Sequence, residues 1–97
     1  MRVIAKKILR EFWKKHPDSE EQLKTWYKEA SKAKWANPSD IRKEYTKASI
    51  LKGGRVVFNI YGNKYRLIVE INYKRQWVFI RFIGSHEDYD KIDANKI

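Results

Sequence analysis

An α+β fold, with two N-terminal helices packed on a small, mainly antiparallel sheet and a short C-terminal helix, is predicted by a change of hydrophobic period along the chain. Apolar residues recur at helical spacing as far as Ala33 and alternate with period two from Arg55 onward. Between these regimes lie the breakers Asn37-Pro38 and Gly53-Gly54. Ninety-seven residues suffice for one modest core, and no linker, repeat or low-complexity tract interrupts them, so residues 1–97 are read as a single domain.

Met1 to Ile4 is short, apolar and tolerant of extended backbone, and is read as a brief first strand. From Ala5, the residues Ala5, Ile8, Leu9, Phe12 and Trp13 form one apolar stripe, with Lys6, Lys7, Arg10, Lys14 and Lys15 around it. That is an amphipathic helix stopped near His16-Pro17, because proline disfavours helical backbone in the residue before it. Ser19 with Gln22 three residues on matches a capping box, and Glu20 and Glu21 complement the positive helix start. The second helix carries Leu23, Trp26, Tyr27, Ala30 and Ala33 toward the core. Asn37 is read as an N-cap with Pro38 in the first helical position, opening a short helix to about Glu44. Residues 45 to 54 are read as loop.

The strands can be placed in register. A turn at Gly62-Asn63 pairs Val56 with Val69, Phe58 with Leu67 and Ile60 with Tyr65 on an apolar face. The opposite, partly polar face then pairs Arg55 with Glu70, Val57 with Ile68 and Asn59 with Arg66. For the next hairpin, a turn at Arg75-Gln76 pairs Glu70 with Arg81, Val69 with Phe82 and Arg66 with Ser85. Asn59, Arg66, Ser85 and the adjoining His86 thus gather at one end of the polar face, and Arg55, Glu70 and Arg81 form a charge ladder lower down. The closing residues 91–97 are read as a short helix or a frayed end.

Composition limits the chemistry. The chain has 22 Lys and Arg against 12 Asp and Glu, a formal charge of +10, which points to a polyanionic partner, RNA above all. It has no cysteine, which excludes thiol catalysis and thiolate-held zinc and fits a reducing cytoplasm. No apolar run approaches the ~20 residues that span a bilayer, and no signal peptide is visible, so a soluble cytoplasmic protein without a membrane partner is expected. The two histidines have no metal-site spacing, and Gly53-Gly54 lacks the Lys and Ser or Thr of a phosphate-binding loop, so neither metal nor small-molecule cofactor is expected.

RNA cleavage without metal requires an activated 2′-hydroxyl, a cation to stabilise the pentavalent transition state and a proton for the leaving oxygen. Arg66 suits the second role, since a guanidinium grips phosphate bidentately. Arg81 is a second cation, with a structural ion pair to Glu70 as its alternative role. His86 is the only imidazole near the cluster, and an imidazole exchanges protons near neutral pH; an ordinary surface or capping histidine is the alternative. Tyr89, three residues on, shares its face if a helical turn begins there, and could stack on a base. Asn59 is placed to orient Arg66. Lys52 and Lys64 flank the strand pair as candidate RNA contacts, whereas the helix lysines are read as solvated faces. His16, at a helix C-terminus, is read as a dipole partner.

The succession MRVI, KKxLxEFWxxHP, VVFNIxGNxYRL and FIGSHxDYD resembles the HigB family of toxins from type II toxin–antitoxin systems, within the RelE/ParE-like superfamily. The resemblance spans almost the whole chain. It implies a RelE-like fold and an endoribonuclease, an mRNA interferase acting on messages in the translating ribosome and restrained by a HigA-like antitoxin with a DNA-binding helix-turn-helix. By the same resemblance, the strand arginine of YRL is Arg66, and the histidine and tyrosine of SHxxYD are His86 and Tyr89. Catalytic side chains vary among RelE-like toxins, so the resemblance places the site better than each role. Two other readings stay open: a non-catalytic RNA-binding module, and a toxin acting on gyrase, as in the ParE branch.

Overall fold

The computed structural model describes residues 1–97. It contains β1 (Arg2–Ile4), α1 (Lys6–Lys15), α2 (Glu20–Lys32), α3 (Pro38–Glu44), β2 (Ser49–Ile50), β3 (Arg55–Ile60), β4 (Tyr65–Asn72), β5 (Trp77–Ser85) and α4 (His86–Asp90). One five-stranded sheet has the order β1-β5-β4-β3-β2. Its pairs are antiparallel except β1 with β5, which run parallel.

One sheet face meets the N-terminal helices. Leu9, Leu23, Trp26, Trp35 and Ile41 pack there against Val56, Phe58, Leu67, Val69 and Val78, all essentially inaccessible to water. Each such side chain contributes about 1.5–3 kcal/mol by burial. Phe58 is the aromatic hub: its ring lies 5.4 Å from Trp26, 6.3 Å from Trp35 and 5.0 Å from Tyr45. The second face carries a smaller cluster of Val57, Ile68 and Ala94, with Leu51, Phe82, Tyr89, Ile92 and Ile97 at its margins. The end of the chain is therefore neither a helix nor a frayed tail. It returns across this face, where Ala94 is buried and the Ile97 carbonyl accepts hydrogen bonds from the Arg55 guanidinium at 3.0 and 2.8 Å.

The helix ends divide into one expected cap and one that does not form. Asn37 caps α3 through its side-chain oxygen, which accepts from the Asp40 N–H at 3.2 Å. The Ser19 capping box is absent. Pro17–Ser19 forms a 3-10 turn ahead of α2, and the Ser19 hydroxyl donates back to the His16 carbonyl at 2.7 Å. Gln22 is drawn away, its side-chain oxygen accepting from the Tyr61 N–H. The stretch read as loop also holds structure: β2 lies on the edge of β3, and Lys52–Gly54 forms a 3-10 turn.

The β3–β4 register is the expected one in all six pairs. The turn closes with the Lys64 N–H donating to the Tyr61 carbonyl at 3.2 Å, and Gly62 takes the positive φ of +66° that the turn needs. The β4–β5 register differs from the expected one. Tyr65 opposes Ser85, Arg66 opposes Gly84 and Ile68 opposes Phe82, whereas Val69 opposes Ile80 and Glu70 opposes Phe79. Two features cause this. The connection is the four-residue turn Tyr73–Gln76, with Gln76 at φ +60° and its side chain donating to the Trp35 and Tyr73 carbonyls. A bulge then leaves Arg81 as the extra residue between Ile80 and Phe82.

Candidate functional site

Arg66 sits near the end of the second sheet face, with Asn59 on one side and Gly84 on the other. Gly84 lets the Phe82 ring lie close over the strand: a Cβ there would stand 2.5 Å from the tip of that ring, which would have to move. The Arg66 guanidinium donates to the Asn63 carbonyl in the β3–β4 turn at 2.8 Å. Asn59, expected to orient it, does not bond to it; the turn carbonyl does that work. The guanidinium also stands 5.8 Å from the centre of the Tyr89 ring, a cation–π arrangement.

Tyr89 reaches this place because α4 starts immediately after β5. The Ser85 hydroxyl accepts from the Asp88 N–H at 3.1 Å while the Asp88 carboxylate accepts from the Ser85 N–H at 3.4 Å, a reciprocal capping box. The His86 N–H donates to the Lys64 carbonyl at 3.0 Å, which ties the start of α4 to the β3–β4 turn. His86 and Tyr89 then lie three residues apart on one helix face. The imidazole is solvent-exposed, with Nε2 3.6 Å from an Asp90 carboxylate oxygen. Arg66, Tyr89 and the backbone of His86 thus converge on one end of the sheet.

The other expected cations are arranged differently. Arg81 is bound to Glu70 by two hydrogen bonds of 3.0 and 2.6 Å; the bulge lets its side chain reach Glu70 although its Cα is not opposite. Arg55, the third member of the supposed ladder, is occupied by the Ile97 carbonyl instead. Lys64 is held by Asp18 at 2.5 Å, beside the Tyr65 hydroxyl, which donates to the same carboxylate at 2.6 Å. These bonds, Lys64 before Tyr65, hold the Asp18 carboxyl below its ordinary pKa. The Asp18 bond in turn raises that of Lys64. Lys52 lies with Asn95 and Lys96 of the chain end rather than with Arg66.

Sequence reasoning missed two contributors. The Asn63 carbonyl anchors Arg66, and no side-chain pattern announces a backbone acceptor. Asp18 fastens the β3–β4 hairpin to the α1–α2 connection across more than forty residues of sequence, so local periodicity carries no trace of it. The His, Asp and Glu side chains form no group of three placed to hold a metal ion, and no helix is long and apolar enough to cross a membrane.

A family model described as the RelE-like toxic component of a toxin–antitoxin system matches residues 19–92. The chain belongs to the HigB toxin family. The match takes in α2, α3, β2 to β5 and α4, and so Asn63, Arg66, His86 and Tyr89. Among curated relatives, the chain is 26% identical over 94 residues to the mRNA interferase HigB of Escherichia coli O6:H1, covering 95% of this chain and 91% of the relative. It is 24% identical over 96 residues to the mRNA interferase toxin HigB of Escherichia coli K12, with coverage of 97% and 92%. The mRNA interferase HigB of Shigella flexneri matches at the same identity. A HigB toxin with an α+β fold is what the sequence motifs implied.

Proposed function

We propose that this HigB-family toxin is an endoribonuclease that cuts messenger RNA in the translating ribosome, by attack of the RNA 2′-hydroxyl on the adjacent phosphate without a metal ion. Arg66 carries the reading. Its guanidinium has no carboxylate partner, unlike that of Arg81, and is not tied to the chain end as Arg55 is; a backbone carbonyl and an aromatic ring steady it. Such a group is preorganised for a phosphate whose charge grows in the transition state. His86 is the proton-transfer group, exposed and on the helix that supplies Tyr89, and Tyr89 stacks on or positions the nucleotide while supporting Arg66. Asn59, Arg81, Lys52 and Lys64 are peripheral RNA contacts. Arg81 and Lys64 must exchange a carboxylate for phosphate to serve as such, and exposed ion pairs are weak enough to allow it. The relatives named mRNA interferases support the choice of substrate.

A toxin of a toxin–antitoxin system is silenced by an antitoxin, and we infer a HigA-like protein with a helix-turn-helix and an acidic segment suited to the +10 charge. The working place of such a pair is the cytoplasm. Mapping of RNA 5′ ends after brief expression of the wild type and of His86→Ala tests the reading. New cuts in register with codons that disappear in the variant are expected. Growth arrest with intact messages would overturn it and, with broken DNA, would favour a gyrase poison.

A further inference from the structure

We propose that the pocket between α2, the α3–β2 connection and the β3–β4 hairpin is a subsite for an unpaired nucleobase next to the scissile phosphate. The inference rests on the ribonuclease reading above. The pocket has a volume of about 320 Å³ and is lined by Gln22, Tyr45, Thr46, Lys47, Asn59 and Asn63, with Phe58 and Glu44 contributing. That volume is at the lower end of the ~300–1,000 Å³ of small-ligand sites.

Two of the lining residues join the pocket to Arg66. Asn59 is the cross-strand neighbour of Arg66, and Asn63 supplies the carbonyl that receives the guanidinium. The pocket opens at the β3 edge on the helix side of the sheet, so an RNA strand whose phosphate lies on Arg66 of the second face reaches it by turning round that edge past Asn59 and Asn63. The lining chemistry suits a base. Single-stranded bases are recognised by hydrogen bonds along their edges and by contact of their faces with aromatic rings. Amides and a hydroxyl line the walls, and the partly exposed Tyr45 offers a ring, while Phe58, closed to water, only backs the pocket. Several of these groups are already committed. Gln22 uses its oxygen on the Tyr61 N–H, and the Tyr45 hydroxyl donates to Glu29 at 2.5 Å, its pKa driven upward by burial and then by that carboxylate. The Asn59, Asn63 and Thr46 side chains make no hydrogen bond within the protein and are the groups left to read a base. Glu44, whose carboxylate accepts from the Trp35 indole, lines the same pocket and disfavours a phosphate inside it. Lys47 offers a cation for a backbone phosphate beside it.

The test compares cleavage sites across all transcripts for the wild type, Asn63→Ala and Thr46→Val, with thermal melts to verify folding. Asn63→Ala keeps the backbone carbonyl that holds Arg66. A base contact of this kind is worth about tenfold in discrimination, so both variants should lose about tenfold preference at one position flanking the cut while cutting elsewhere continues. Site preferences identical to wild type, or a uniform loss at every site, would overturn the subsite and leave the nuclease reading standing. Absence of cuts by the wild type would overturn both. If Asn63→Ala melts below the assay temperature, Thr46→Val decides the matter alone.

Discussion

Replacing Arg66 with alanine separates what this residue does for folding from what it does for reaction. In the folded protein the guanidinium makes one hydrogen bond, to the Asn63 carbonyl, and one ring contact, with Tyr89. Both are only partly shielded from water, so together they are worth about 1 kcal/mol. For a domain of this size that lowers the melting temperature by about 4–8 °C. The loss to reaction is larger. Removing a preorganised donor to the charge that develops in a transition state costs about 2.7–4 kcal/mol, or 10²- to 10³-fold in rate. Arg66→Ala should therefore remain folded at 37 °C yet cut a ribosome-bound message at least a hundredfold more slowly in single-turnover assays, with Arg66→Lys between the two because lysine keeps the charge but not the fork. A well-folded Arg66→Ala retaining cleavage within threefold of wild type would refute the assignment. A melting temperature lowered by more than about 20 °C would refute the view that Arg66 is incidental to the fold.

Gly54→Ala tests the backbone beneath the second face. Gly54 has φ +77°, and an added Cβ would lie 2.5 Å from the Ile71 carbonyl oxygen; left-handed backbone and overpacking together cost about 2–5 kcal/mol, enough for a thermal melt to show a fall of at least 8 °C. Asp18 predicts an acid-sensitive anchor. Its folded pKa is depressed by Lys64 and Tyr65, so its contribution is present above the unfolded value of about 3.9 and is lost as the pH falls through the lower, folded value. The melting temperature of the wild type should drop more steeply below pH 4 than that of Asp18→Asn; parallel curves would contradict the linkage, and the effect is modest because solvent reaches the carboxylate. Arg81→Gln removes one phosphate contact and should flatten the salt dependence of RNA binding by about one unit in the log–log slope. An unchanged slope would remove Arg81 from the RNA surface.

Much of this site is legible in the sequence because its geometry is local. The Gly62-Asn63 turn and the alternation of Val56 to Ile60 against Tyr65 to Val69 fix which residues share a face, and so place Asn59 beside Arg66. Asn37-Pro38 marks a helix start for the same reason: the cap and its recipient are three residues apart. What was misread depends on contacts between distant segments or on backbone conformations that side chains do not announce. Gln22 is taken from its helix cap by Tyr61, thirty-nine residues away. Gln76 enters left-handed backbone to bond the Trp35 carbonyl, which lengthens the turn and shifts the β5 register. The bulge at Arg81 rescues the expected Glu70 ion pair from the wrong pairing, so that contact was anticipated for a reason the structure does not supply. Residues 91–97 look frayed because Ile92, Ala94 and Ile97 have no obvious periodic partner. Their partners are Val57 and Ile68, on a sheet face that alternation had marked as partly polar.

The most direct measurement of the central claim is the chemistry of the RNA ends produced by purified protein on a defined message in programmed ribosomes. Attack by the 2′-hydroxyl predicts a 2′,3′-cyclic phosphate or 3′-phosphate on one fragment and a 5′-hydroxyl on the other, with neither formed by Arg66→Ala or His86→Ala. A 5′-phosphate with a 3′-hydroxyl, or equal cutting by both variants, would contradict the account.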